Sequence, residues 1–100
     1  MNSTLGLLAR IEAKPEYAED IAQLLTGALD LAREEDGTLT WFAFRESPTV
    51  FGIFDTFADE NDRRVHLNGP IAAALMEAAP TMLATPPVIA PIDILALKLP

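Results

Sequence analysis

The 100-residue chain predicts a single α+β domain over 1–100, with the ferredoxin-like order β-α-β-β-α-β: a four-stranded antiparallel sheet with its helices on one face. Three observations predict it. Period-two alternation opens the chain at Leu5–Ala13 and is followed by an apolar stripe at helical spacing. The only tryptophan and all five phenylalanines crowd into Leu39–Phe57, which a Glu46-Ser47-Pro48-Thr49 break divides into a hairpin. A second helical stretch and a last apolar run, Val88–Leu99, complete the order.

In the first strand, Leu5, Leu7, Ala9, Ile11 and Ala13 alternate with Gly6, Leu8, Arg10 and Glu12. Lys14-Pro15 ends it, and Pro15 suits the first turn of a helix. Glu16, Glu19 and Asp20 lie where the helix macrodipole favours negative charge. Tyr17, Ile21, Leu24, Ala28 and Leu31 keep helical spacing, with Leu25 and Ala32 widening the stripe. Gly37 is the expected C-cap. Gly27, inside the helix, costs about 1 kcal/mol against alanine, and it either permits a close approach to the sheet or has no role.

The hairpin lacks a polar face. Trp41 and Ala43 point one way, Phe42 and Phe44 the other; Phe51, Ile53 and Phe57 share a face with Asp55, opposite Val50 and Phe54. A sheet with one wet face alternates apolar with polar, so this one is covered on both sides. Helices cover one face, and the sheet of a second copy is the expected cover of the other.

Asp59 is the expected N-cap of a short helix over about Glu60–Leu67, with Asp62 three residues on. Asn68-Gly69 stops that helix and Pro70 starts the next, whose apolar stripe is Ile71, Leu75, Ala78 and Met82. Pro80 predicts a kink or a restart. Thr85-Pro86-Pro87 ends this helix, and Pro91 inside the last strand predicts an edge or a bulge. The leucine-rich end of that strand is expected to pair with or cross a partner subunit.

Half the residues are apolar and the net charge is −8. That charge repels nucleic acid and anionic membranes, and no basic cluster offsets it. With no cysteine, disulfides, thiolate metal sites and cysteine nucleophiles are excluded. Met1 to Arg10 lacks the pattern of a signal peptide, and no apolar run reaches bilayer length, so a cytoplasmic protein is expected.

Several segments together resemble the antibiotic biosynthesis monooxygenase family of the dimeric α+β barrel superfamily. They are Glu12-Ala13-Lys14-Pro15, Glu35-Asp36-Gly37-Thr38-Leu39, Phe54-Asp55-Thr56-Phe57-Ala58-Asp59-Glu60, His66-Leu67-Asn68-Gly69-Pro70 and Pro86-Pro87-Val88. The family often has a tryptophan where Phe57 stands. The resemblance implies a homodimer with a ligand cavity in each subunit, between the sheet and the later helices. It also implies oxygenation of a small aromatic or quinol-type substrate with no metal, flavin or other cofactor. An electron-rich phenolate can pass an electron to oxygen by itself, so the protein must hold the anion, exclude water and place one base or donor. Other members degrade haem or isomerise a small molecule. The haem-ligating histidine of the first group falls near Met76, where this chain is apolar.

His66 is the sharpest catalytic candidate. It is the only histidine, often histidine in the family, and the one side chain that exchanges protons near neutral pH without help. Its plainer reading is a surface or capping residue. Asp55, among aromatics, either orients His66 and takes a substrate proton or, in the reading its cost favours, pairs with Arg10 or Arg45. Trp41, Phe44, Phe54, Met76 and Met82 are candidates to line the pocket, against a plainer role in core or dimer contact. Glu34, Glu35 and Asp36 read as a solvated helix end rather than a metal site. Arg63 and Arg64 are too few to bind nucleic acid, though either could meet an anionic substrate. The leading expectation is a cofactor-independent monooxygenase. The alternatives are a non-catalytic dimeric module that binds a small apolar ligand, in stress response or regulation, and an isomerase, which needs a second acid or base beside His66.

Overall fold

The computed structural model describes residues 5–100. Its strands are β1 (Leu5–Glu12), β2 (Thr38–Arg45), β3 (Val50–Phe57) and β4 (Val88–Asp93), and its helices α1 (Ala18–Arg33), α2 (Glu60–Leu67) and α3 (Pro70–Met82). The four strands form one antiparallel sheet in the order β2-β3-β1-β4. This is the predicted ferredoxin-like α+β fold, with its later helical layer split in two at Asn68-Gly69.

Alternation decides which residues meet the helices. Leu7, Ala9 and Ile11 of β1 and Phe51, Ile53, Asp55 and Phe57 of β3 are all buried under them. From above, Ile21, Leu25, Ala28 and Ala32 of α1 and Ile71, Leu75 and Ala78 of α3 close the core. The buried face of α1 is thus centred on Leu25 and Ala32, while Leu24 and Leu31 flank it, half-buried. A turn of 3-10 helix at Pro15–Tyr17 leads into α1.

The other sheet face has no helix. Phe42 and Phe54 stack there with ring centroids 6.4 Å apart, and Phe44 lies over Gly52 so closely that a Cβ at Gly52 would collide with its ring. Phe42 and Phe44 are 55% and 40% exposed. The two apolar sheet faces read from the hairpin are therefore present.

Three sequence expectations need correction. The last strand ends at Asp93, not Leu99: the last pair of the β1–β4 ladder is Leu5 with Asp93, and residues 94–100 form no regular structure. Helix α3 continues through Pro80 to Met82 without restarting, since Pro80 lies in its last turn. Gly37 is not a left-handed cap, since no glycine among the described residues has positive φ and Glu34 is the cap of α1. Gly37 is required instead because the Asp62 side chain of α2 occupies the place of a Cβ. Of the two readings of Gly27, the close approach to the sheet is absent: a Cβ there would meet no atom within 4 Å. Pro91 does lie on an edge strand, as expected.

Candidate active site

Three segments converge on His66. The first is α2, whose start is fixed by Asp59, its carboxylate accepting from the Asp62 N–H at 2.9 Å. The helix turns His66 inward, 7% exposed, with the Phe57 ring 5.1 Å from its own. The second is β3, which presents Asp55 and Phe57 on the helix-facing side. The third is the loop between α1 and β2, which supplies Glu35.

The imidazole is held at both nitrogens. Its Nε2 lies 3.0 Å from Asp55 Oδ2, and its Nδ1 lies 2.6 Å from Glu35 Oε1. Thr38 Oγ1 also donates to Glu35 Oε1, at 2.7 Å. A bulge makes that possible. Thr38 pairs with Phe57 and Thr40 with Thr56, so Leu39 is the extra residue. Without it, Thr38 and Trp41, three residues apart, would point to opposite faces; with it, both face the helices.

Ionised carboxylates only accept hydrogen bonds, so each nitrogen carries its own proton or the facing carboxyl does. Burial pushes the imidazole toward neutrality, but the hydrogen bonds and charges of Asp55 and Glu35 outweigh it and raise the His66 pKa above its ordinary 6.5. Asp55 is raised above its ordinary 3.8, chiefly by burial; the bond and charge of His66 pull it down, and the charge of Glu35 pushes it up. Asp55 and His66 therefore each hold a proton more tightly than they do in water.

Asp55 Oδ2 is engaged, but Asp55 Oδ1 is buried with no hydrogen-bond partner among the described residues. Asp55 and His66 line a small apolar cavity walled by Leu7, Ile53, Ile71 and Leu75, of about 30 Å³. That volume suits one water, not an aromatic ring. A larger, open cleft of about 420 Å³ lies between α1 and β2, lined by Leu25, Leu29, Trp41, Phe44 and Phe51.

The structure thus brings His66 and Asp55 together and disperses the other candidates. Trp41 faces the helix layer on the residue paired with Asp55 and lines the α1–β2 cleft; its indole N–H is buried without a partner among the described residues. Phe44 and Phe54 belong to the far face of the sheet by alternation, Phe44 also reaching the rim of the cleft. Met76 follows buried Leu75 on α3 and points outward, 55% exposed, while Met82 packs half-buried against the core. None of these five lines the cavity at Asp55 and His66.

The favoured partners of Asp55 were wrong. Arg10 projects from the far face of β1 and pairs with Glu46 at 3.1 Å; Arg45 stands opposite Phe51, over its ring, and pairs with Glu19 at 2.7 Å. Arg63 is engaged too, binding Glu60 and the Gly6 carbonyl oxygen. Glu35 is the residue missed. Glu34 and Asp36 are solvated as expected, but Glu35 between them turns inward, its side chain 16% exposed. The only signal was Thr38 three residues on, a hydroxyl able to clasp it. Among the described residues no group of three or more acidic or histidine side chains converges to hold a metal ion.

A family model described as antibiotic biosynthesis monooxygenase matches residues 4–78 of the chain. Comparison with curated proteins finds no match. Among solved structures, a Nitrosomonas europaea protein of unknown function is 52% identical, with a TM-score of 0.93 over 97% of this chain and 94% of that one. A Pseudomonas aeruginosa protein is 23% identical, with a TM-score of 0.81 over 96% and 98%. A structure described as an antibiotic biosynthesis monooxygenase is 17% identical, with a TM-score of 0.79 over 92% and 99%. The last two likenesses speak for the fold alone.

Proposed function

Because the chain belongs to the antibiotic biosynthesis monooxygenase family, we propose that it is a cytoplasmic, homodimeric enzyme that oxygenates a small aromatic or quinol-type substrate without metal or flavin. The observation that carries this reading is Asp55 Oδ1, a buried carboxylate oxygen without a partner among the described residues, on a side chain that lines an apolar cavity. A base in such surroundings is unspent, and its raised pKa brings its proton affinity closer to that of a phenol.

Asp55 takes the phenolic proton while His66 steadies the carboxylate at 3.0 Å. The substrate anion gives one electron to dioxygen, and the two radicals join as a peroxide. Protonation and loss of water leave a carbonyl: one oxygen atom stays in the product, the other leaves as water, and the electrons come from the substrate's own C–H and O–H bonds. The apolar walls keep bulk water from the intermediates. The cavity must widen to admit a ring, because small-molecule pockets run to about 300 Å³ or more.

Oxygen uptake with simple quinols tests the reading. Wild type consumes oxygen, and Asp55→Asn and His66→Gln lower the rate by about 100-fold or more. No uptake with any quinol sinks the oxygenase assignment, and equal rates in the variants sink the roles of Asp55 and His66. A second reading, an isomerase on the same fold, is favoured by one specific observation: His66 has a carboxylate at each nitrogen, the additional acid or base that such chemistry needs. Its mark is exchange of a substrate carbon-bound proton with deuterated solvent, without oxygen uptake. A non-catalytic module would be favoured by His66 facing bulk solvent, and the ring is buried.

A further inference from the structure

Two spaces flank the imidazole of His66. On the inside is the apolar cavity that Asp55 lines. On the outside is a groove of about 330 Å³ between the α1–β2 loop and α2, lined by Glu34, Glu35, Asp36, Asp62 and His66. His66 borders both; of its two partners, Asp55 borders only the inner space and Glu35 only the outer. The three side chains form an unbroken row across the wall between the spaces, with steps of 3.0 Å and 2.6 Å.

We propose that Asp55, His66 and Glu35 form a proton relay from the buried cavity to the outer groove, with Glu35 as the group that exchanges with solvent. The proposal rests on the reading of Asp55 as the base that meets the substrate. His66 is then a relay and positioning residue: both its nitrogens are engaged by carboxylates, so it does not itself meet the substrate.

The protons balance. With both carboxylates ionised and the imidazole charged, the row carries one net negative charge. A proton arriving on Asp55 Oδ1 neutralises that carboxylate. The Nδ1 proton of His66 then crosses to Glu35 Oε1 and leaves to water in the groove, restoring the original net charge. The proton kept on Asp55 remains available for return to the product; when it is returned, one proton re-enters from the groove through Glu35 to Nδ1, and the row is back in its starting state. No electron moves and no co-reactant is needed. Thr38 Oγ1, donating at 2.7 Å, holds Glu35 Oε1 where it can receive from Nδ1. The acids around the groove, Glu34, Asp36 and Asp62, favour a departing proton over an anion at its mouth.

The chain has one histidine, so nitrogen-15 histidine labelling reports His66 alone. The test is the rate at which each ring N–H exchanges with water, followed by NMR without any substrate. In wild type, Nδ1–H exchanges at least about tenfold faster than Nε2–H, because Nδ1 faces the exit. Glu35→Gln keeps an acceptor at Nδ1 but cannot take up a proton, and it slows Nδ1–H exchange about tenfold. Glu35→Asp restores most of the rate. Faster exchange at Nε2, or an unchanged Nδ1 rate in a folded Glu35→Gln protein, overturns the relay; the wild-type comparison decides even if that variant does not fold. Oxygen uptake is a separate readout. Uptake lost in Asp55→Asn, with exchange unchanged in Glu35→Gln, would leave the enzyme reading standing and remove the relay.

Discussion

His66 Nε2 lies 3.0 Å from Asp55 Oδ2, and both side chains are almost wholly shielded from solvent, at 8% and 2% exposure. An ion pair so placed is costly to break from one side, because the surviving charge has neither water nor counter-charge. His66→Leu is therefore expected to destabilise the fold by about 3–5 kcal/mol, a large share of the roughly 5–15 kcal/mol that holds a domain together. Adding Asp55→Asn removes the stranded charge and recovers much of the loss. Urea unfolding of the two single variants and the double variant measures the coupling. Strictly additive losses would show that the pair does not act as a unit.

The same pair sets the sign of the pH dependence. The folded state holds the His66 proton at higher pH than the unfolded chain does, since its pKa is raised above 6.5. Its contribution is fully present below pH 6.5 and is lost as pH rises through the folded value. Asp55, also raised, acts with the same sign at lower pH: its contribution is fully present below 3.8 and is lost as pH rises through its folded value. Melting temperatures from pH 6 to 9 should fall for wild type and fall less for His66→Gln. Parallel curves would remove His66 as the cause.

The sequence made the fold legible because its signals are local. Period two in β1 and β3 predicts which side of the sheet Asp55 and Phe57 occupy, and the spacing in α3 predicts Ile71, Leu75 and Ala78 as its buried stripe. The site was legible by halves. His66 stood out as a lone titratable group, and Asp55 as an acid on an apolar face. Glu35 did not, because three consecutive acids look alike until the bulge at Leu39 turns Thr38 toward one of them. Gly37 was misread for the same reason: its neighbour Asp62 lies twenty-five positions away in the chain.

Two glycines should respond in opposite ways to one added methyl group. At Gly27, exposed in α1, a Cβ meets nothing within 4 Å, so Gly27→Ala should stabilise by up to about 1 kcal/mol through helix propensity and a less flexible unfolded chain. At Gly37 a Cβ would overlap Asp62, whose backbone N–H helps to start α2, so Gly37→Ala should destabilise. Thermal melts of the two variants read both signs. A loss of stability in Gly27→Ala would mean that this side of α1 is covered in the assembled protein.

The uncovered sheet face leads to a prediction about assembly. Phe42, Phe44 and Val88 project from it at 55%, 40% and 61% exposure, although the stack of Phe42 on Phe54 is aromatic surface of the kind that interfaces use. Beyond β4, Leu95, Leu97 and Leu99 repeat every second residue at 97%, 48% and 53% exposure, the pattern of a strand with nothing to lie on in its own chain. A second copy of the sheet face would supply a cover for both. Sedimentation at micromolar concentration should give about twice the 10.8 kDa chain mass for wild type. Phe42→Asp places a carboxylate between the apposed sheets while leaving the helix-side core untouched, so it should shift the protein to monomer with its secondary structure retained. A monomeric wild type, or a Phe42→Asp dimer as stable as wild type, would mean that the exposed phenylalanines serve something other than a sheet-to-sheet interface.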